Sequence, residues 1–231
     1  MRARKEMSCP DHRPVIVAHK ANRLKLLRKY LVLGVPIIEI DVSVQNGQLV
    51  VLHGVDFGDF GAIRGGIMKV GYMLIEHRDP LWRPIPLNDY LSFLEGRVGL
   101  WLDVKTRGAE GDAVDAAKDH GVYPILVSTA HHDILKPLKK SEPSVKVFLG
   151  NVTFTPVDPV GLVKATGADG LSIEYRYITR EVVDKLHKAQ LLIAAWTVNR
   201  PRMAEDLINL GCDYIITDVP EKIMPLLKTR G

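Results

Sequence analysis

Ile37-Ile38-Glu39-Ile40-Asp41-Val42-Ser43-Val44-Gln45-Asn46-Gly47-Gln48-Leu49-Val50-Val51-Leu52-His53 reads as a strand, a turn and a returning strand. Asn46-Gly47 between two β-branched runs is the strongest short signal for a two-residue hairpin turn. With those residues as the turn, Gln45 faces Gln48 and Asp41 faces Leu52, which brings His53 beside Ile40 and Asp41. Glu39 and Asp41 have i, i+2 spacing, so both side chains leave one face of the strand while Ile38, Ile40 and Val42 take the other. Two carboxylates side by side repel, and a divalent cation between them would relieve the repulsion. A merely acidic, solvated strand face is the alternative, and the delivery of His53 to the same spot weighs against it.

The pattern repeats outward in both directions. Apolar, β-branched runs predict strands at 15–18, 37–42, 98–104, 123–127, 145–149, 170–173, 191–197 and 214–217. Helical periodicity fills 22–33, 87–94, 110–120, 131–139, 159–166, 180–188 and 203–210, and again 221–228 after the last strand. Gly34, Gly121, Gly167 and Gly211 each close a helical stretch, as a C-terminal glycine does. Such alternation predicts a parallel sheet in an α/β fold, and a count of eight favours a closed (β/α)8 TIM barrel, with the hairpin extending strand 2. The alternative is an open doubly wound sheet, but no Gly-x-Gly-x-x-Gly follows the first strand.

A Gly-rich insertion at 54–86, between strands 2 and 3, fits no barrel element. Its Phe57, Phe60, Met68, Tyr72, Leu81 and Trp82 suit an ordered lid or wall over the active face, or else a packed decoration at the barrel edge. The 231 residues suit one domain spanning 1–231.

Composition narrows the classes. The chain is 46% hydrophobic and 25% charged, as a globular protein is. No apolar run approaches the roughly 20 residues that span a bilayer, and residues 1–14 are charged and unlike a secretory signal. A cytoplasmic location without stable membrane insertion is expected. Two cysteines, Cys9 and Cys212, imply no disulfide framework. A net charge of +4, with no Lys/Arg block interleaved with aromatics, argues against nucleic acid as a partner. The oligomeric state is not legible.

Catalytic groups of such barrels come from the C-terminal ends of the strands. His19 and Lys20 end the first strand, Glu39 and Asp41 lie late in the second, and Asp103 and Lys105 end the third. Glu174 ends the sixth, Trp196 and Asn199 the seventh, and Asp218 follows the eighth. Carboxylates, histidines and lysines gathered on one face make a site for a hard cation and an anionic substrate.

Four blocks then carry a resemblance: Val17-Ala18-His19-Lys20; Ile38-Glu39-Ile40-Asp41-Val42 with Leu49-Val50-Val51-Leu52-His53; Leu102-Asp103-Val104-Lys105; and Trp196-Thr197-Val198-Asn199 with the segment from Leu210 to Pro220. The chain resembles the glycerophosphodiester phosphodiesterases, barrel enzymes similar to the phosphatidylinositol-specific phospholipases C. The resemblance implies hydrolysis of a small-molecule phosphodiester to an alcohol and glycerol phosphate. It implies Mg²⁺ or Ca²⁺ on Glu39, Asp41 and Asp103, proton exchange by His19 and His53, and charge stabilisation by Lys105 and Lys20. Trp196, Glu174 and Asn199 would contact the substrate, with a fourth metal-shell place or a Glu174–Arg176 salt bridge as the alternatives for Glu174. There are departures. Lys20 stands where the family has arginine, Ala21-Asn22-Arg23-Leu24 where it has Pro-Glu-Asn-Thr, Gly54 where it has aspartate, and Asp103 where it has glutamate. A phospholipase D-like lyase acting on lysolipid head groups, or a barrel that binds phosphodiesters without turnover, are the other readings.

Overall fold

The structure is a computed structural model, and it describes residues 13–52, 83–94 and 96–228. Eight parallel strands close on themselves: β1 (Val15–Ala18), β2 (Ile37–Gln45), β5 (Gly99–Val104), β6 (Ile125–Thr129), β7 (Lys146–Val152), β8 (Gly170–Glu174), β9 (Leu192–Trp196) and β10 (Tyr214–Thr217). Pairing of β1 with both β2 and β10 makes the closure. Two short antiparallel strands, β3 (Gln48–Val51) and β4 (Ile85–Pro86), extend β2 outside the barrel. The expected barrel is therefore present, and no open sheet edge runs between its first and last parallel strands.

The hairpin register follows from its turn. Asn46 and Gly47 take φ of 50° and 76°, the left-handed pair that a primed turn needs. Gln45 then pairs with Gln48 and Val42 with Val51, and the Leu52 N–H donates to the Asp41 carbonyl. Ile85 and Pro86, expected inside the insertion, instead pair with β3, and Pro86, with no N–H to give, sits at an edge strand where that loss is tolerated. The rest of the insertion, 54–82, and His53 lie outside the described residues.

Helices α1 (Leu24–Leu33), α2 (Leu87–Ser92), α3 (Glu110–Asp119), α4 (Leu135–Ser141), α5 (Pro159–Thr166), α6 (Arg180–Lys188) and α7 (Pro201–Leu210) lie between the strands. The expected last helix, 221–228, is two short ones, α8 (Pro220–Ile223) and α9 (Pro225–Lys228), because Pro225 has no N–H with which to continue the ladder.

Strand alternation sorts the core into two parts. Outward residues such as Ile38, Ile40, Leu100, Leu102 and Ile173 pack under the helices. Inward residues Val17, Ile37, Trp101, Leu126, Phe148, Ala194, Tyr214 and Ile216 fill the barrel. Trp101, Phe148 and Tyr214 meet there, with ring centroids 4.6, 5.6 and 5.4 Å apart and two of the three contacts edge-on. This aromatic plug closes the lower barrel and leaves the strands' C-terminal ends open to a site.

Candidate active site

The parallel pairing of β2 with β5 sets Asp41 beside Asp103 and Glu39 beside Trp101. Oxygens of Glu39, Asp41 and Asp103 thereby come within 4.8 Å of one another. Glu39 and Asp41 are buried. Lys105, two residues past Asp103, donates to Asp103 Oδ2 and lies 2.9 Å from Asp41 Oδ1. Burial works against the Lys105 charge, but Asp103 and Asp41 outweigh it and hold the ammonium well above its usual range. Burial and then the neighbouring Asp41 push Glu39 up to about 8. Three converging oxygen donors with one ammonium among them retain excess negative charge, and that donor set fits a hard divalent cation.

His19 follows β1, its N–H held by the Thr217 carbonyl. Its Nδ1 lies 2.7 Å from Asp218 Oδ1 and its Nε2 lies 3.9 Å from Glu39 Oε2. An ionised carboxylate only accepts, so Nδ1 carries the hydrogen and Nε2 remains available towards the cavity. Burial opposes protonation of His19, while the Asp218 hydrogen bond and the Glu39 charge more than offset this and raise its pKa. Asp218 is itself fixed: Asn199 Nδ2 donates to its Oδ2 at 2.6 Å, and its N–H donates to Asn199 Oδ1 at 2.9 Å. Lys20 adopts a left-handed φ of 49°, which directs its N–H to Glu39 Oε2 at 2.7 Å.

A cavity of about 200 Å³ opens above the plug. His19, Lys20, Glu39, Asp41, Asp103 and Lys105 line one side, and Trp196 is part of the wall. Its floor is polar as well as aromatic: Trp101 Nε1–H donates to Ser128 Oγ at 2.8 Å, and that hydroxyl donates to Asp103 Oδ1 at 3.2 Å.

Two expected substrate contacts are placed elsewhere. Glu174 pairs with Arg176, two residues on, and its carboxylate is turned to that salt bridge. Asn199 uses both ends of its amide on Asp218 and accepts from Thr217 Oγ1 at 3.1 Å. His53 lies outside the described residues. The sequence reading also missed functional neighbours. Asn22 is buried and grips Asp41 twice, donating from Nδ2 to Oδ2 at 2.7 Å and accepting the Asp41 N–H at 3.0 Å. Asp218 was seen at a strand end without the link to His19. Ser128, Asn151 and Ser172 also line the cavity; inward position on expected strand 170–173 is the signal that could have found Ser172, whereas Ser128 lies one residue past expected strand 123–127.

The family model described as the Glycerophosphoryl diester phosphodiesterase family matches residues 101–222, more than half of the chain. The chain belongs to this family. A glycerophosphodiester phosphodiesterase of Caldanaerobacter subterraneus is 26% identical, covering 94% of this chain and 99% of the relative. The Bacillus subtilis protein YqiK, described as uncharacterized, is 25% identical over 95% of this chain and 98% of its own length. Among solved structures, an Oleispira antarctica phosphodiesterase in complex with the product sn-glycerol-3-phosphate superposes with a TM-score of 0.75 at 22% identity, covering 93% of this chain and 97% of that one. A glycerophosphodiester phosphodiesterase from Parabacteroides distasonis gives 0.74 at 21% identity, covering 94% and 98%. These likenesses place the family member on the same barrel fold.

Proposed function

We propose that this family member hydrolyses glycerophosphodiesters to an alcohol and glycerol phosphate, with a divalent cation, Mg²⁺ or Ca²⁺, as cofactor. The observation that carries the reading is the convergence of Glu39, Asp41 and Asp103 within 4.8 Å, beside an imidazole whose free nitrogen faces them. Those three carboxylates would hold the cation. When bound, it would supply positive charge at a phosphate oxygen and acidify an attacking hydroxyl.

The chain's own groups do the rest. His19 Nε2 accepts the proton of the attacking glycerol hydroxyl, and Asp218 stabilises the imidazolium that results; the alcohol leaves, and water then opens the cyclic phosphate to glycerol phosphate. His53 is the sequence's candidate for the complementary general acid at the leaving oxygen. Lys105, kept charged by Asp41 and Asp103, neutralises charge building on the phosphoryl oxygens, and Lys20 at the cavity rim adds a second cation. Trp196 forms an apolar wall for the organic part of the substrate. Among the described residues no helix is long and apolar enough to cross a membrane. A cytoplasmic place in glycerol and lipid metabolism is part of the proposal and rests on the substrate class.

The deciding experiment incubates the purified chain with glycerophosphocholine, glycerophosphoethanolamine and bis(p-nitrophenyl) phosphate, with Mg²⁺ or Ca²⁺ and with EDTA. Release of glycerol phosphate with metal and its loss in EDTA is the expected result. Full activity in EDTA would sink the metal role. Binding without any turnover would favour the lapsed barrel, and a cyclic phosphate end product would favour the lyase.

A further inference from the structure

Strand register sets three polar groups in line on the inner wall of β5 and β6. Trp101 and Asp103 are two residues apart on β5, so both leave its inner face. The pairing of β5 with β6 stands Asp103 beside Ser128. Ser128 follows Val127, which packs outward, and so shares the inner face with Leu126. Trp101 and Ser128 are both buried, and a buried indole N–H and a buried hydroxyl each need a partner. Each finds it in the next group along. Trp101 Nε1 lies 2.8 Å from Ser128 Oγ, and Ser128 Oγ lies 3.2 Å from Asp103 Oδ1.

The chemistry of the three groups gives this relay one direction. An indole N–H only donates, and an ionised carboxylate only accepts. Trp101 therefore occupies a lone pair of Ser128 Oγ, and the single hydroxyl hydrogen goes to Asp103. Lys105 donates to the other oxygen, Oδ2. A donor on each oxygen fixes the plane of the carboxylate and leaves each oxygen a second acceptor position. Asp103 needs such holding more than its neighbours do. Its side chain is 18% exposed, against 5% for Glu39 and 2% for Asp41, so packing restrains it least among the three converging carboxylates.

We propose that Trp101, acting through Ser128, fixes the orientation of the Asp103 carboxylate and thereby sets the divalent-cation affinity of the site. Both are positioning residues. The inference rests on the metal-dependent reading of the site, and its test separates the two. Mg²⁺ and Ca²⁺ affinities are measured by calorimetry, without substrate, on the unaltered protein, Ser128→Ala, Trp101→Phe and the double variant. Ser128→Ala should raise the Kd about 10- to 100-fold, the scale for losing a group that orients a metal ligand. Trp101→Phe keeps an aromatic ring but removes the N–H, and should raise the Kd about threefold to tenfold, the worth of one neutral hydrogen bond. The two losses should not add. The double variant should match Ser128→Ala within about twofold, because the indole acts only through the hydroxyl. Urea midpoints in EDTA report core packing separately. Variants that unfold earlier yet bind both cations as the unaltered protein does overturn the proposal, and so do losses of affinity that add in full. If the unaltered protein binds neither cation, the metal reading fails first and the positioning role falls with it.

Discussion

His19 is a useful base only while something holds its ring, and Asp218 does so through Nδ1 at 2.7 Å. His19→Ala should lower turnover at least about 10²-fold, the usual scale for losing a general base, with folding retained by circular dichroism. Asp218→Asn keeps the shape but removes the charge that raises the His19 pKa. Its expected signature is a loss of turnover together with a shift of the His19 limb of the kcat/KM profile to lower pH. A profile that stays in place would separate Asp218 from proton transfer. Lys20→Arg should remain within about tenfold of the unaltered enzyme, since the charge is kept and only the hydrogen-bonding geometry changes. Lys20→Ala should raise KM and lower kcat together. Asn22→Ala removes both of its bonds to Asp41, and second-layer losses of this kind weaken metal binding about 10- to 100-fold, measurable by Mg²⁺ titration of the folded protein. These partnerships show where sequence reading ends. Asp218 is 199 residues from His19 and Asn22 is 19 from Asp41, and only the closed barrel and the β1-to-α1 connection bring each pair together. The candidate ligands themselves were legible because i, i+2 spacing at a strand end fixes their common direction.

Elements were easier to read than partnerships, for a physical reason: period and punctuation are local. Asn46-Gly47 alone determined the register of β2 with β3, and Pro159 and Arg180 begin their helices where the pattern placed them. The irregularity in β7 was hidden, because expected strand 145–149 carries no signal that it runs on to Val152, with a register shift between Leu149 and Val152. Gly170 marks a tight point between elements that sequence also left silent. A Cβ there would stand 2.6 Å from the Leu192 carbonyl oxygen and 2.7 Å from the Phe148 ring. The carbonyl belongs to a paired strand and cannot swing aside, so Gly170→Ala should destabilise the barrel by about 1–3 kcal/mol, the range of core overpacking. Urea unfolding would show it as a lower midpoint. Because Phe148 belongs to the plug and not to the charged wall, activity per folded molecule should be largely kept.

At the scale of the whole molecule, the acid cluster ties folding to pH and to metal. Glu39 is held up to about 8 in the metal-free fold by burial and by Asp41, whereas in an unfolded chain it returns to the ordinary carboxylate range near 4.3. Between those values the native state binds more protons than the unfolded state, so stability falls as pH rises, with a limiting slope of about 1.4 kcal/mol per pH unit for one proton. His19 acts in the same direction, since its raised folded pKa gives stability at low pH that is lost as pH climbs through that value. Asp218, whose pKa is lowered, gives stability that is lost only as pH falls into the carboxylate range, below this window. In EDTA the midpoint of urea unfolding should therefore decline from pH 5 to pH 8, and Glu39→Gln should flatten most of the decline. A divalent cation reverses the trend. It competes with the Glu39 proton, so it binds more tightly as pH rises, and it stabilises the native state by an amount that grows with its saturation. The gap between unfolding midpoints with and without Mg²⁺ should thus widen from pH 5 to pH 8 in the unaltered chain and shrink in Glu39→Gln. A gap that stays constant with pH would mean that Glu39 is not a ligand, and a missing gap with both Mg²⁺ and Ca²⁺ would remove the metal from the mechanism.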